Sequence, residues 1–596
     1  MFSFTTVSAS VSALAATLIA QYGKLWTTIS GHSTTVESLN CYPFLPDLFQ
    51  EFPPSAAHPL MRAASAEVEA YLRGRFQSGA GDIESLSAAV VTSHGAIYEV
   101  NLGKLRNNGS DTDRDSSPPT TSHAMYRMAS VSKLFEVVEA HVLRQRGALS
   151  WDDPVSRFLP EFMYRLDGYA PANPGSSMNE EPITLRHLAT HLSGLGHDWP
   201  PGDVSRWPHS VEGAGAPPTN GLPFPTLESV LASVAANRLV YPPGYYPSYS
   251  NTATGVLGSV LVAANRMSSS SPSKEPTKYA ELVKRDVFEP MGLNGSHFFA
   301  QEENKHLLIV PSFESSIADL DFLDAMNAAG GQWCSLSDAT TFTSTLLNPR
   351  HPKSVLASYT MRNWLHATRS FEEDDWTEAG LIWEIIKAKD SNQRLRRIYW
   401  KLGELYNYHT AIALHPGTSY GVVMFMAGAY MDAAAIVYHI FEIMQPYIDR
   451  ALAELATTVY VGRWKSTDGN SVATITLERG VLFVEELTLD GTNAMDTFNA
   501  FNGPPEVVQG KRKRRFALRP TGRRDELRLD TGTPPVNGLK HMSCYAYWAG
   551  FDDWGMHNGA PTNLFYFTGN IEGWEQGMAD ERVLHIPAMG DLQLRR

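Results

Sequence analysis

Apolar and polar positions recur with two different periods along this chain, and these periods predict its elements. From residue 58 to residue 79, and again after residue 130, apolar residues lie three or four positions apart, which predicts helices. Residues 86–91 and 96–100 are apolar-rich and joined by His94-Gly95, which predicts a pair of strands. Helices and strands stay interleaved to about residue 450. The sequence therefore predicts an α+β fold, an α/β sandwich with an antiparallel sheet, flanking helices and an all-helical lobe.

The C-terminal part of the chain has a different pattern. Residues 473–477 and 481–487 alternate at strand period, and turn dipeptides such as Asp468-Gly469 separate such segments. Strand patterns continue to residues 583–586, which together predict a small antiparallel β-barrel. We therefore expect an N-terminal leader and extended segment at residues 1–58, a mixed domain at 59–450 and the barrel at 451–596.

A serine and a lysine three residues apart open one of the predicted helices. Ser130 lies in its first turn, and Lys133 lies one turn later on the same face, within reach of the hydroxyl. A lysine buried in a pocket has a lowered pKa and can take the proton that makes the hydroxyl a nucleophile. On its own the pair is more typical of an N-capping serine and a surface lysine. The same spacing at Ser271 and Lys274, in a Ser/Pro-rich stretch, predicts no chemistry.

Two later motifs change that interpretation. Tyr249 and Asn251 follow a turn at residues 241–244, so both side chains can face one cleft. Lys401 and Gly403 end a strand-like stretch, where a glycine lets a substrate approach the backbone closely. An activated serine, a phenol that carries a proton and an ammonium group are together the equipment of an acyl-transfer enzyme.

The three motifs, in this order, resemble the SxxK, YxN and KTG motifs of the serine β-lactamase-related superfamily, in its class C β-lactamase, penicillin-binding-protein-like and esterase-like branch. GALSWDDPV at residues 147–155 is similar to the family's GKLSLDDPV, and ITLRHLATHLSGL at residues 183–195 is close to its ITLRHLLTHTSGL. The resemblance covers residues 59 to 447 and implies a β-lactamase/transpeptidase-like fold with the site between the sheet and the helical lobe. The C-terminal barrel is similar to the lipocalin-like domain that follows the catalytic domain in many relatives.

The resemblance also implies a role for each motif residue. Ser130 would attack a carbonyl carbon and become acylated. Lys133 and Tyr249 would share the general-base role and then return a proton to the leaving group. Asn251 would orient the acyl side chain and Lys133, and Lys401 would add a positive field near Tyr249.

The same resemblance implies an oxyanion hole and one departure from the family pattern. The backbone N–H groups of Ser130 and Glu404 would form the hole, the latter because it follows Gly403. Relatives that hydrolyse antibiotics carry Thr or Ser between the lysine and the glycine, and that hydroxyl helps to hold the substrate carboxylate. This chain has Leu402 instead. Losing such a donor costs about 1–3 kcal/mol, which argues against β-lactams and D-Ala-D-Ala peptides.

We therefore expect a serine hydrolase that acts through an acyl-enzyme on an ester, lactone or amide. Its partner would be a small-molecule acyl substrate. Three alternatives stay open: an acyltransferase that passes the acyl group to an alcohol, a true β-lactamase or D-amino-acid peptidase, and a non-catalytic binding protein. Hydrolase and transferase share the acylation machinery, so the sequence does not separate them.

Composition narrows the classes of partner. The formal charge of −14 and a pI near 5.8 argue against nucleic acid. The chain has no HExxH, CxxC or phosphate-cradling glycine loop, so we expect no metal and no cofactor. Cys41, Cys334 and Cys544 are too few and too widely spaced to predict a disulfide framework or a zinc site.

The N-terminal segment indicates where the protein is located, inside or outside the cell. Residues 7–20 are apolar, end in small residues and resemble the core of a signal peptide with cleavage near Ala20. The run is too short and too rich in Ser and Thr for a membrane span, so we expect none. No Lys or Arg precedes Lys24, so the usual basic region is missing. Secretion is the favoured prediction, and a cytoplasmic location is the alternative.

Overall fold

The fold is described from a computed structural model. It covers residues 41–78, 82–170, 182–501, 515–531, 544, 547–548, 550–577, 581–590 and 592–596. The expected signal segment, with its cleavage site near residue 20, lies outside these residues. None of the helices in the described ranges is long and apolar enough to cross a membrane.

An eight-stranded antiparallel sheet forms the centre of the first part of the chain. Its strands follow the order β2-β1-β10-β9-β8-β7-β6-β5. The strands are β1 (Ile83–Thr92), β2 (Gly95–Gly103), β5 (Arg369–Ser370), β6 (Thr377–Ala379), β7 (Glu384–Lys389), β8 (Leu395–Leu405), β9 (Tyr408–His415) and β10 (Tyr420–Gly428), while β3 (Met125–Arg127) and β4 (Trp333–Ser335) form a separate pair. Because β1, β9 and β10 are covered on both faces, they are almost wholly buried.

Two long helices cover one face of this sheet. Helix α1 (Pro59–Ser78) buries Met61, Val68 and Leu72, whose spacing of seven and four residues forms one apolar stripe. Helix α12 (Ala433–Tyr460) packs beside it, and both contribute to one apolar core with the outward-facing residues of the sheet. The N-terminal helix expected from residue 58 to residue 79 is thus present.

The helical lobe covers the opposite face. It contains α2 (Asp111–Ser116), α3 (Ser132–Gln145), α4 (Leu185–Ala189), α5 (Leu227–Ala236), α6 (Asn251–Ser268), α7 (Tyr279–Val283), α8 (Glu289–Met291), α9 (Asn327–Gly330), α10 (Leu336–Leu347) and α11 (Ser358–Trp364). Helices α3 and α6 are buried at nearly every position, because they pack against each other and against the sheet at the centre of a second apolar core.

The C-terminal strands close into an antiparallel barrel. Its strands follow the order β12-β11-β21-β20-β19-β16-β15-β13, and β13 pairs back to β12. The bounds in this part of the chain are β11 (Gly462–Lys465), β12 (Val472–Glu478), β13 (Val481–Leu489), β14 (Thr492–Asn493), α13 (Ala494–Phe501), β15 (Phe516–Pro520), β16 (Glu526–Asp530), β17 (Met556–His557), β18 (Ala560–Pro561), β19 (Leu564–Thr568), β20 (Val583–His585) and β21 (Gln593–Arg595). The predicted sandwich, helical lobe and barrel are all confirmed.

Helix α12 joins the two parts. It runs without a break past residues 450 and 451, where we expected the boundary between the mixed domain and the barrel. Its last residue, Tyr460, stacks edge-on against Phe567 of the barrel at 4.9 Å between ring centroids. The apolar core outside the sheet therefore continues into the barrel, because the end of the helix is part of both.

One disulfide is present although the cysteine spacing did not predict it. Cys41 pairs with Cys544 across 503 residues of sequence, with 5.2 Å between the Cα atoms. The Arg519 guanidinium donates a hydrogen bond to the Cys41 carbonyl oxygen, at 3.1 Å, so the N-terminal segment lies against the barrel. The two thiols meet because the N-terminal segment lies against the barrel, and Cys334 remains a buried free thiol.

Candidate active site

Ser130 lies in a short 3₁₀ turn, Ala129–Val131, immediately before α3. Ala129 has a φ of +47°, a left-handed conformation that costs a non-glycine residue of the order of 1 kcal/mol. Two hydrogen bonds to Gln332 hold the turn in place. The Met128 N–H donates to the Gln332 carbonyl oxygen, and the Gln332 N–H donates to the Ser132 hydroxyl. The strained turn presents Ser130 at the N-terminal end of the buried helix.

Lys133 is fully buried one turn after Ser130. Its Nζ donates to Ser130 Oγ at 3.0 Å, to Asn251 Oδ1 at 2.7 Å and to the Ala329 carbonyl oxygen at 2.5 Å. Burial lowers the pKa of Lys133, and the neighbouring Lys401 ammonium lowers it further. A lowered pKa makes the neutral amine, which can accept a proton from the serine, easier to form.

Tyr249 approaches the same hydroxyl from the opposite element. Its Oη donates to Ser130 Oγ at 2.7 Å, and its ring centroid lies 5.1 Å from the Nζ atoms of both Lys133 and Lys401. Burial would raise the pKa of Tyr249, but the two ammonium groups outweigh burial and the pKa is lowered. Ser250, the N-cap of α6, accepts from the Ala253 N–H and so fixes the loop that carries the phenol.

Asn251 links the lysine to a carboxylate that the sequence did not single out. Its side-chain oxygen accepts from Lys133, and its Nδ2 donates to Asp198 Oδ1 at 2.9 Å. The amide therefore bridges Lys133 and Asp198, while its expected role in orienting Lys133 and the acyl side chain stays a prediction.

Lys401 lies on β8 beside Tyr249 and forms an ion pair with Glu384. Its Nζ donates to Glu384 Oε1 at 2.5 Å and to the Leu402 carbonyl oxygen at 2.9 Å. Burial alone would lower the pKa of Lys401, but the Glu384 carboxylate outweighs it and raises the pKa. Glu384 was missed by sequence reasoning because only the pairing of β7 with β8 brings it to this position.

Gly403 allows β8 to lie against Ser130. A Cβ atom here would come within 2.3 Å of the Met128 carbonyl oxygen, 2.5 Å of Thr410 Oγ1 and 3.2 Å of the Ser130 backbone nitrogen. These distances are too short for any side chain. Glycine is therefore required where the strand passes the serine.

The Glu404 N–H points towards the same cleft. The Leu402 N–H donates to Glu384, away from β9, and residues two apart in a strand direct their N–H groups to the same side. Pairing with β7 ends at Trp400, so the Glu404 N–H faces an open edge, and its residue lines the cavity beside Ser130. The placement agrees with the expected oxyanion hole, while the donor role itself stays a prediction.

Leu402 does not take the place that its motif position suggested. Lys401 and Gly403 face Ser130, so the side chain between them points to the other face of the sheet. Leu402 pairs with Ala411 and packs on the apolar core shared with α1 and α12. The expectation that this side chain changes the substrate contacts is therefore corrected, because it lies outside the cavity.

A cavity of about 250 Å³ opens beside Ser130. Most of its walls are apolar, and two of its lining residues, Asp198 and Glu404, are acidic. The lining comprises Ala129, Ser130, Asp198, Trp199, Ala216, Pro217, Pro218, Thr219, Phe224, Pro225, Asn251, Leu320, Phe322, Met326, Ala329, Gly330, Glu404, Leu405 and Tyr406. Across the described ranges, no three His, Cys, Asp or Glu side chains are grouped to hold a metal ion.

Sequence reasoning also missed two histidines that flank Tyr249. The His191 ring lies 4.4 Å from the Tyr249 ring, and its Nδ1 accepts from the Ser250 N–H at 3.2 Å. The His197 ring lies 5.3 Å from Tyr249, and its Nδ1 is hydrogen-bonded to Asp198 Oδ2. Burial holds the pKa of His191 well below its ordinary value. His191 lies within the family-like stretch 183–195 and His197 lies two residues after it, and neither belongs to the three short motifs.

Comparisons with known proteins bear on the family of this chain. A family model described as Beta-lactamase matches residues 66–445. The chain is 34% identical over 325 residues to a β-lactamase-like protein, str6, of Strobilurus tenacellus. The aligned residues make up 54% of this chain and 99% of the relative. It is 30% identical over 227 residues to esterase EstB of Burkholderia gladioli, covering 37% of this chain and 48% of that one. A penicillin-binding protein homologue from Pyrococcus abyssi superposes with a TM-score of 0.49 at 17% identity, covering 89% and 99% of the two chains. Because the family model spans more than half of its length, this chain belongs to the β-lactamase family.

Proposed function

We propose that the protein is a serine hydrolase that forms an acyl-enzyme on Ser130. One observation carries the proposal: Ser130 Oγ accepts hydrogen bonds from both Lys133 Nζ and Tyr249 Oη, at 3.0 and 2.7 Å. The pKa of each donor is lowered, so each is suited to act as the base that takes the serine proton. A binding protein that had lost catalysis would have no need to keep this arrangement.

The first half of the reaction follows from these contacts. Ser130 Oγ forms a bond to the substrate carbonyl carbon while its proton moves to the Tyr249–Lys133 pair. The N–H groups of Ser130 and Glu404 stabilise the negative charge that develops on the carbonyl oxygen. The carbonyl carbon then releases the leaving group, which takes the proton from Tyr249. Lys401 keeps Tyr249 in a positive field throughout.

The favoured substrate is an ester, lactone or amide rather than a β-lactam antibiotic. A β-lactam presents a carboxylate, yet neither Lys nor Arg is among the lining residues of the cavity, and Lys401 is engaged by Glu384. An apolar acyl group suits walls that include Pro217, Phe224 and Phe322. The name of one relative, esterase EstB, supports the same class.

An acyltransferase is the second candidate. The cavity beside Ser130 has mostly apolar walls, which suit a site that keeps water from an acyl-enzyme until an alcohol acceptor arrives. Hydrolysis and transfer would share every residue named so far. Product analysis with and without added alcohols separates them.

Intact-protein mass after exposure to a fluorophosphonate, p-nitrophenyl butyrate and benzylpenicillin tests the proposal. We expect one adduct per chain from the first two reagents, lost in Ser130→Ala and slowed in Tyr249→Phe. Ser271→Ala is the matched control, since that serine has the same SxxK spacing on the surface and should label fully. Absence of any adduct in folded protein would favour the binding-protein alternative, and rapid turnover of penicillin would make the protein a β-lactamase.

We also propose that the protein is secreted. The disulfide between Cys41 and Cys544 supports this, because disulfides persist mainly in oxidising compartments. N-terminal sequencing of protein recovered from culture medium should find a start near residue 20. An uncleaved chain found only inside the cell, with both cysteines reduced, would support the cytoplasmic alternative.

A further inference from the structure

We propose that a cavity between the mixed domain and the barrel binds a small oxyanion, a molecule whose charged group is a phosphate or a carboxylate. None of the described residues lines both this cavity and the one beside Ser130. The inference therefore goes beyond the proposed function and does not depend on it.

Four segments of the chain line this cavity, which has a volume of about 360 Å³. The turn between β7 and β8 contributes residues between positions 390 and 396, and α12 contributes residues between positions 446 and 453. Leu45 comes from the N-terminal segment, and Arg479 and Gly480 come from the turn between β12 and β13. A ligand here would therefore lie between the mixed domain and the barrel.

Arginine side chains dominate the charge of these walls. Of the described lining residues, four are arginines and two are aspartates, although the whole chain has a formal charge of −14. These residues are Arg394, Arg396, Arg450, Arg479, Asp390 and Asp449. A guanidinium group presents paired N–H donors in one plane, which match the oxygens of a phosphate or a carboxylate. The walls therefore suit an oxyanion better than a neutral or cationic ligand.

Arg394 is buried, with 4% of its surface exposed. Its guanidinium donates to the Pro43 and Gly480 carbonyl oxygens, at 3.1 Å each, and so links the N-terminal segment to the barrel. Among the described residues its Nε has no hydrogen-bond acceptor. Burial lowers the pKa of Arg394 to about 10, which leaves the group charged at neutral pH. A nearby anion would stabilise such a buried cation.

Arg396 shares a carboxylate with Arg394. Its Nε donates to Asp390 Oδ2 at 3.3 Å, and the same oxygen lies 3.7 Å from Arg394 Nε. The other oxygen, Oδ1, accepts from the Asn392 and Arg394 backbone N–H groups, at 2.8 and 3.0 Å. Asp47 also attracts Arg396 but is not among the lining residues. Two guanidinium groups that are at most 9% exposed thus share one carboxylate of the walls.

Asp449, the second aspartate of the walls, holds the turn against α12. Its Oδ2 accepts from the Ser391 N–H and hydroxyl groups, at 2.9 and 2.7 Å, and its Oδ1 accepts from Gln445 Nε2 at 2.8 Å. An oxyanion from solution would balance the remaining positive charge of the walls. It would also hold the turn, α12 and the barrel together, which stabilises the folded chain.

Thermal unfolding and isothermal titration calorimetry of the full-length protein test this site, with citrate and inorganic phosphate as probes. We expect one binding site per chain. At saturation the melting temperature should rise by about 2–4 °C above its value in sodium chloride of equal ionic strength. The two probes distinguish the sources of the oxyanion, because tighter binding of citrate assigns a carboxylate ligand and tighter binding of phosphate assigns a phosphate ligand.

Three substitutions locate the binding. In Arg396→Gln and Arg479→Gln the affinity for the probe should fall by about tenfold or more, because each loses a guanidinium group of the walls. Arg479 lies in an exposed turn, so its variant gives the answer if Arg396→Gln does not fold. Arg397→Gln is the matched control. Arg397 is the next residue of β8, points to the opposite face and pairs with Glu378, so its replacement should leave the affinity unchanged.

Two results would overturn the inference. Equal melting temperatures in citrate, phosphate and sodium chloride would show general screening of charge instead of a site. Binding that is as tight in Arg479→Gln as in the wild type, or as weak in Arg397→Gln as in Arg479→Gln, would place the anion elsewhere. Neither result would affect the proposed function, which the adducts at Ser130 test separately.

Discussion

Two segments of this chain carry a serine and a lysine at the same spacing, and they differ in almost everything else. Ser130 and Lys133 lie at the start of α3, where the lysine is buried against Asn251 and Ala329. Ser271 and Lys274 flank a short 3₁₀ turn, Pro272–Lys274, that buries none of its residues. Lys274 is exposed, whereas Lys133 has no contact with solvent.

The difference shows which surroundings distinguish the proposed nucleophile from a serine that shares only its motif spacing. Both segments have the same SxxK spacing. At Ser130, burial and a second ammonium group lower the pKa of Lys133, and the Tyr249 phenol donates to the serine hydroxyl. On the proposed function, the motif supplies the serine and the lysine, and the elements packed around it supply the burial, the second ammonium group and the phenol.

The largest effect on activity should come from replacing Lys133, whereas the same replacement at Lys274 should have no effect. Lys133→Met keeps the length of the buried side chain but removes the base, so kcat/KM for p-nitrophenyl butyrate should fall about 10³-fold. Lys274→Met, its matched control, should leave the rate unchanged. Circular dichroism of both variants checks the fold. Equal rates for the wild type and Lys133→Met would contradict the proposed difference between the two segments, because neither lysine would then contribute to the reaction.

A smaller effect should follow from widening the gap between β8 and the nucleophile. In Gly403→Ala the new methyl group would collide with the Met128 carbonyl oxygen and displace the turn that carries Ser130. We expect a loss of about 1–3 kcal/mol in the free energy of unfolding and a fall in kcat of about 10- to 100-fold. Gly74→Ala is the control, because a Cβ there meets no atom within 4 Å. Full activity in Gly403→Ala would show that the contact is dispensable.

The sequence predicted the residues of this site better than their partners. Ser130, Lys133, Tyr249, Asn251 and Lys401 were singled out because each belongs to a short motif, and the structure brings all five together. Motifs are local in sequence, so they are visible without a fold.

The partners depend on contacts that are distant in sequence. Glu384 reaches Lys401 only through the register of β7 and β8, and Cys41 reaches Cys544 only because the N-terminal segment lies against the barrel. The direction of Leu402 required knowing which face of β8 meets the serine. Alternation shows which side chains of a strand share a face, but not which face meets the serine. Only the packing of the strand in the fold determines that.

The ion pair between Lys401 and Glu384 should set the pH range of the enzyme. Glu384 raises the pKa of Lys401 and opposes the lowering of the pKa of Tyr249. In Glu384→Gln both pKa values should therefore fall. The Tyr249 phenolate, which acts as the base, then forms at lower pH, and this moves the acidic limb of the kcat/KM profile to lower pH. Lys401 also loses its charge at lower pH, so the alkaline limb moves in the same direction and the whole bell-shaped profile shifts towards acid.

Measuring kcat/KM from about pH 5 to about pH 10 checks this shift, and at neutral pH the rate should change less than about tenfold. Glu373→Gln, an exposed carboxylate between β5 and β6, should leave the profile in place. A profile that moves towards alkali in Glu384→Gln would mean that the carboxylate does not control these two groups.

The smallest effect should come from restoring the hydroxyl that the family motif places next to the glycine. In Leu402→Thr the new side chain would point into the core shared with α1 and α12, away from Ser130. Ester hydrolysis should therefore change less than about twofold, and penicillin should gain no turnover, while stability falls by about 1 kcal/mol. Leu405→Thr, on the same strand but lining the cavity, should instead alter the preference for acyl chain length. If Leu402→Thr produced turnover of penicillin, position 402 would act on the substrate after all. The contrast between the two leucines thus separates a position that belongs to the motif from one that belongs to the cavity.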